Sequence, residues 1–456
     1  MIVVNRDVNI RGSVKVTSLG EVYKLIEDVS EPVLVVFDGV YGFISDFRRF
    51  SNSRGLNWFL LDFVDPIFES RLVKGVVSLE VIIEARLRRL ELSNALKAPI
   101  RLGLSKVVSR RDVLTRGPIA ALEYLVAPIV DSDRCNVLGN CSLCIDRCPF
   151  NALSGKPPTV DFDKCVMCGL CISLCPVDAL TTPRFTFESI EWYVRILREY
   201  SNDPMYVVLT SYNLLRDVYE LSKVEYPTLI LPFDSIEEIP PITLLKLASR
   251  GLTPVIYGSV SEYYRSIVED LEKIGVLSVV SDISGLEKVL ANSPKLHDKG
   301  YRETYRGYVR LVLEGYTEEL DLKFPGYSEL VVDRDYCTLC EACTKACPTG
   351  ALVTERGEDI VKLTVNYDEC IACSECMLQC PEKAIRDVKW RFRRRPKTVV
   401  ELADSKIARC ARCGAPLESE KLILKVEKVL RERGLHHPLE YTRLCPKCKV
   451  ERMLST

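Results

Sequence analysis

The chain has 456 residues, 27% of them charged, with a formal net charge of −1 and a pI near 6.4. That balance excludes a global field able to recruit nucleic acid or an anionic membrane. The best apolar candidate, "PIAALEYLVAPIV", is too short for a membrane span and contains a glutamate, and the start "MIVVNRDVNI" lacks the basic-then-apolar order of a signal peptide, so a cytoplasmic protein is expected.

Twenty cysteines fall into five groups of four with none left over. In a reducing compartment such thiols are poor disulfide partners and good metal ligands. Histidine is confined to His297, His436 and His437, which argues against haem, di-iron and imidazole-driven acid–base chemistry. Glutamine occurs once, at Gln379, a composition similar to that of proteins from thermophiles.

Taken in chain order, residues 1–128 hold no cysteine and form an N-terminal α/β domain. There "PVLVVFDG" and "NWFLLDFV" read as buried strands, and "LEVIIEARLRRLELSNALK" as an amphipathic helix. Cysteines crowd the next block, 129–184. Residues 185–327 are again free of cysteine. Strands are predicted at "MYVVLTS", "PTLILPF", "TPVIYGS" and "VLSVVS", and helices at "LLRDVYELSK", "PITLLKLASRG" and "SEYYRSIVEDLEKIG". This alternation implies a parallel, Rossmann-like sheet. A charged stretch, "KLHDKGYRETYRGYVRLVLEGYTEELDLKFPG", leads into a second cysteine block, 328–388. A basic linker, 389–405, follows, and then a tail, 406–456, with the last four cysteines. The repeated cysteine block is an internal duplication and governs the architecture.

Three stretches, 165–175, 337–347 and 370–380, carry C-x2-C-x2-C-x3-C-P. This is the bacterial [4Fe–4S] signature. Thiolates at every third residue wrap three corners of a cubane, and the fourth, too far around, serves a neighbouring cluster. A zinc site is the competing reading, but zinc sites pair two short C-x2-C knuckles rather than three cysteines in step. The first motif, "CNVLGNCSLCIDRCP", departs by having five residues between Cys135 and Cys141. The insertion either bulges outward with ligation intact or leaves Cys135 a weak ligand.

These stretches resemble the two-cluster ferredoxin family over residues 129–182 and 330–388. By that resemblance Cys165, Cys168, Cys171 and Cys148 hold one cluster, and Cys135, Cys141, Cys144 and Cys175 its neighbour. Likewise Cys337, Cys340, Cys343 and Cys380 hold a third, and Cys370, Cys373, Cys376 and Cys347 a fourth. In the tail, "CARCG" at Cys410 and Cys413 pairs with "CPKC" at Cys445 and Cys448. Two knuckles separated by a long insert read as a zinc-ribbon-like site with four cysteine ligands. A rubredoxin-like iron or a fifth cluster is the alternative.

Residues 226–260, "YPTLILPFDSIEEIPPITLLKLASRGLTPVIYGSV", resemble the delta subunit of methyl-viologen-reducing hydrogenase, with Phe233 and Val260 where that family has cluster cysteines. "RGLNWFLLDFVDPIFESRL" and the helix after it resemble the start of the heterodisulfide reductase A subunit, without that domain's cysteine. The chain lacks G-x-G and Walker A patterns, so no flavin or nucleotide is expected, and no catalytic residue is nominated. "KWRFRRRPK" reads first as a solvated linker, then as a docking surface for an acidic redox partner, and last as a nucleic-acid contact.

The expected fold is therefore a multidomain α/β and α+β chain. Two bacterial-type ferredoxin modules flank a Rossmann-like domain, with an N-terminal α/β domain and a zinc-binding tail. The expected function is electron transfer through up to four [4Fe–4S] clusters, as a subunit or partner of a hydrogenase or heterodisulfide-reductase-type complex. A stand-alone iron–sulfur oxidoreductase with a substrate site in the N-terminal or middle domain is the alternative. Clusters serving folding alone are disfavoured by the duplication.

Overall fold

The computed structural model describes all residues except 1, 5–12, 98–101, 105–121, 125, 137–140, 176–178, 222–223, 237–238, 301–311, 313–319, 322–327, 368, 371–372, 393–398, 440 and 455–456. The chain is a mixed α/β, multidomain fold that divides into two compact units, Met1–Val312 and Leu313–Thr456.

The first unit contains two parallel sheets. One has the order Ser13–Lys15, Ile2–Val4, Val33–Val36, Leu61–Val64. The other has the order Thr228–Phe233, Met205–Ser211, Leu252–Tyr257, Ser278–Val280. Each places its second strand outside its first, the doubly wound arrangement. The strands expected in the middle region are all present, because their apolar runs suit a strand covered on both faces. Val33–Val36 and Leu61–Val64 are buried at every position for the same reason. The helix expected over 79–97 runs Leu79–Glu91, capped by Ser78, with a separate short turn at Ala95–Lys97. It packs along helix Phe187–Tyr200, which opens on a reciprocal cap between Thr186 and Ser189.

One hydrophobic core joins the two sheets: Val33, Val35 and Phe63 of the first meet Tyr206, Val208, Ile230 and Val255 of the second. Buried charge lies beside it. Arg89 reaches Asp62 at 2.7 Å, while Arg86 lies 3.5 Å from Asp62 and 3.3 Å from Glu69. Tyr212 donates to Asp62 at 2.8 Å, which brings the end of the second sheet's first strand to the same carboxylate. Burial alone would raise the Asp62 carboxyl, but Arg86, Arg89 and Arg184 outweigh it and hold the group at about 2. Arg184, the last residue of the first cysteine block, pairs with Asp234 at 2.5 Å. It also donates to the carbonyls of Leu61 at 2.6 Å and Trp58 at 3.0 Å. The cysteine block is thereby fastened to both sheets.

In the second unit, Leu352–Arg356 and Ile360–Asn366 form a hairpin between two cysteine motifs. The eleven-residue strand Val399–Arg409 pairs antiparallel with Ile360–Asn366, and Pro416–Ser419 follows on its other side. A second sheet places Ile385–Phe392 between Leu320–Asp321 and Ser328–Val332. Of the segment read as a basic linker, Lys389–Phe392 thus lies in one strand and 399–405 in another. Residues 393–398, with most of the arginines, lie outside the described residues. The tail is therefore continuous with the sheet of the preceding module. Among the described residues no helix is long and apolar enough to cross a membrane.

Candidate iron–sulfur and metal sites

Each cysteine motif is approached through the same turn. The carbonyl of Asp131 accepts the N–H of Cys135 at 3.0 Å, and Asp161 that of Cys165 at 3.0 Å. Asp333 does so for Cys337, and Asn366 for Cys370, each at 3.1 Å. In sequence these are "DSDRC", "DFDKC", "DRDYC" and "NYDEC", a repeat that the count of cysteine spacings overlooked. The carboxylates of Asp131, Asp161 and Asp333 cap the same turns by accepting backbone N–H groups two or three residues on.

Each motif leaves through a second shared turn, C-P-x-x-A, at "CPFNA", "CPVDA", "CPTGA" and "CPEKA". Asn151, Gly350 and Lys383 adopt positive φ there, which turns the next alanine back toward the sulfur. The N–H of Ala152 lies 3.3 Å from Cys148 Sγ, that of Ala179 3.1 Å from Cys175 Sγ, and that of Ala384 3.2 Å from Cys380 Sγ.

The approach of one motif is bonded to the exit of the other. Asp131 N–H donates to Ala179 O and Asp161 N–H to Ala152 O, both at 2.8 Å. In the second unit Asp333 N–H donates to Ala384 O at 2.8 Å and Asn366 N–H to Ala351 O at 2.7 Å. The backbone therefore brings Cys135 toward Cys175, Cys165 toward Cys148, Cys337 toward Cys380 and Cys370 toward Cys347. Cys135 has the same lead-in and exit partner as the regular motifs, and the inserted residues 137–140 lie outside the described residues.

Side chains follow the same partition. One cavity is lined by Cys148, Cys165, Cys168 and Cys171, and another by Cys337, Cys340, Cys343 and Cys380. Burial, with Cys175, Cys141 and Cys135 beside it, raises the Cys144 thiol to about 12. Cys343 is likewise pushed up to about 12 by burial and by Cys337, Cys340 and Cys380. Cys373 rises to about 11 through burial, against an opposing backbone hydrogen bond from Glu375, with Cys370 and Cys347 adding to the rise. Crowded thiols of this kind ionise together only beside a cation, which is what a metal cluster supplies. The wrapping loops use left-handed residues to turn: Met167 and Gly169, Leu339 and Glu341, and Ser374. The donor set, its four-sulfur groupings and the cavities they line fit a cubane cluster.

In the tail, the sulfurs of Cys410, Cys413, Cys445 and Cys448 lie within 4.8 Å of one another, the one such group of potential metal ligands among the described residues. Cys413 and Cys445 are 3.6 Å apart, close to the edge of about 3.8 Å that four sulfurs at 2.3 Å from a tetrahedral ion would have. Gly414 at φ +73° returns the first knuckle. The N–H of Cys445 lies 3.3 Å from Cys410 Sγ, and backbone donors of this kind lower the Cys410 thiol. Cys410, Cys445 and Cys448 are buried, whereas Cys413 and His436, in the insert between the knuckles, are exposed. Phe233, at the position where the hydrogenase-subunit likeness expects a cysteine, is a fully buried core side chain facing Arg89.

Two family matches agree with this geometry. The model described as a 4Fe-4S dicluster domain matches residues 329–381, and that of a 4Fe-4S binding domain matches residues 158–181. The second match begins after the irregular motif. No curated protein matches the chain.

Proposed function

We propose that the chain, an iron–sulfur protein with two ferredoxin-type 4Fe-4S domains, is a four-cluster electron conduit in the cytoplasm. In this reading the clusters are held by Cys135, Cys141, Cys144 and Cys175; by Cys148, Cys165, Cys168 and Cys171; by Cys337, Cys340, Cys343 and Cys380; and by Cys347, Cys370, Cys373 and Cys376. Bound clusters supply reversible one-electron redox chemistry. The chain's own residues exchange ligands between paired motifs, fasten the loops through the approach and exit turns, and aim backbone N–H groups at sulfur. The observation that carries the reading is the reciprocal bonding of approach and exit, Asp131 with Ala179 and Asp161 with Ala152, Asp333 with Ala384 and Asn366 with Ala351. It supports the same exchange in both modules and includes the irregular motif.

The tail cysteines, in this proposal, hold a structural zinc. The partners are redox proteins or catalytic subunits of hydrogenase or heterodisulfide-reductase type, for which the support is the sequence likeness of the N-terminal and middle regions. Anaerobically purified chain is expected to contain about sixteen iron atoms and about one zinc, and to pass electrons from a reduced ferredoxin to a dye without converting an organic substrate. Near twelve iron atoms removes the cluster at Cys135. Bound flavin at stoichiometric amounts, or steady turnover of hydrogen or a disulfide by the isolated chain, overturns the conduit.

A further inference from the structure

The tail reaches the Cys337 loop through three separate contacts. Ser419 Oγ, buried at the start of helix Glu420–Glu432, donates to the carbonyl of Thr338 at 2.5 Å. Arg356 Nη2 joins Glu341, at 3.0 Å, to Glu418 of the tail, at 2.5 Å. Lys425 of the same helix pairs with Glu382 at 2.7 Å. Thr338, Glu341 and Glu382 all line the cavity of Cys337, Cys340, Cys343 and Cys380. Glu341 and Glu382 are each balanced by a cation, Arg356 and Lys425.

Lys421, the second residue of that helix, is different. Its ammonium donates to two carbonyls, Arg334 O at 2.9 Å and Asp404 O at 3.1 Å, and among the described residues it pairs with no carboxylate. Arg334 stands three residues before Cys337, in the approach turn itself. The charge is fixed by the tail helix and the long strand at the carbonyl of Arg334, whose neighbour Asp333 accepts the N–H of Cys337 at 3.1 Å, so it stands beside the turn that delivers the first cysteine of the loop. The other loop of the module carries a carboxylate, Glu375, between Cys373 and Cys376, and among the described residues no cation pairs with it.

We propose that the tail sets the reduction potential of the cluster held by Cys337, Cys340, Cys343 and Cys380 through the fixed charge of Lys421, making that cluster the electron-accepting end of its module. Adding an electron to a cluster adds negative charge, so a nearby cation favours the reduced form and a nearby carboxylate the oxidised one. An electron supplied at the Cys347, Cys370, Cys373 and Cys376 cluster then settles on the one beside the tail. This inference rests on reading the module as a carrier of two reducible clusters.

The test is an EPR-monitored titration of the full chain with dithionite, comparing wild type with Lys421→Met, Lys421→Arg and Glu418→Gln. The signal is assigned through Cys340→Ser, which alters that cluster's line shape. At fixed potential, Lys421→Met is expected to lower the reduced-to-oxidised ratio of this cluster about tenfold, which is about 59 mV for a one-electron centre. Lys421→Arg should leave the ratio at the wild-type value, and Glu418→Gln should raise it, since a negative charge is lost at the same junction. The opposite sign keeps the test decisive should Lys421→Met lose iron. Equal midpoints in Lys421→Met and Glu418→Gln, or a shift confined to the other cluster, overturn the inference while leaving the electron-carrier reading intact. Clusters of the wild-type chain that do not reduce reversibly overturn both.

Discussion

Gly169 shows how much a single position in a wrapping loop decides. Its φ is +66°, and a Cβ there would sit 3.0 Å from Pro240 Cα. The corresponding residues of the other regular motifs, Glu341 and Ser374, hold the same left-handed conformation with a side chain attached, at φ values of 64° and 66°. The conformation alone costs a non-glycine residue about 1–2 kcal/mol, and at Gly169 the backbone of Pro240 adds a clash. Gly169→Ala is therefore expected to lower the thermal midpoint and to release iron from the cluster proposed at Cys148, Cys165, Cys168 and Cys171. Glu341→Gly, which relaxes the same turn in the second module, should leave iron content at the wild-type level. Iron analysis before and after a heat step separates the two. The cysteines themselves were legible because their spacing is a property of neighbouring residues. The flanking D-x-D-x-C and C-P-x-x-A turns were equally present in the sequence, but their meaning depends on a bond between turns far apart in the chain.

At the scale of elements, the parallel strands were readable and the long strand of the tail was not. "MYVVLTS" and "TPVIYGS" are continuous apolar runs because helices cover both faces. Val399–Arg409 is charged and half-exposed, with Ala403 and Leu402 facing inward among Glu401, Asp404 and Lys406. Such a strand is specified by its partner, Ile360–Asn366, more than by its own pattern. Ala403→Pro removes a backbone donor opposite Leu363, in the middle of a four-stranded sheet. The expected outcome is a lower unfolding temperature for the second unit and new proteolytic cleavage between residues 393 and 405. Unchanged cleavage and an unchanged midpoint would show that the strand contributes little to the unit.

At the scale of the whole molecule, the buried ions bind parts that cysteine positions alone made look independent. The boundaries drawn at 128 and 185 followed composition, whereas Asp62, Tyr212, Arg184 and Asp234 tie the regions on either side of the first module into one body. Charged residues so placed carry no sequence signature, since each reads alone as a solvated side chain. Asp62→Asn leaves Arg86 and Arg89 without their shared carboxylate, and removing one partner of a buried pair costs about 3–5 kcal/mol. The carboxyl is held at about 2 in the fold and lies near 3.9 when unfolded. Its stabilisation is complete above about pH 4 and is lost as the pH falls toward about 2. Denaturation followed by far-UV circular dichroism should show the gap between wild type and Asp62→Asn narrowing over that interval. A gap that stays constant with pH would mean that the carboxylate's charge is not what stabilises the fold.

The reciprocal bonds between motifs also bear on how the protein is made. Asp131 waits for Ala179, and Asp333 for Ala384, so the first sulfur of a module meets its last only after some forty further residues have been synthesised. A ribosome that has released only the first half of a module has released a half-site whose thiols remain open to oxidation or to a stray metal. On the proposed ligation, the cluster that begins at Cys135 closes only with Cys175, and the one that begins at Cys337 only with Cys380. The strand Val399–Arg409 ends within thirty residues of Cys380, so the longest strand of the sheet beside the second module is synthesised directly after that module's last cysteine.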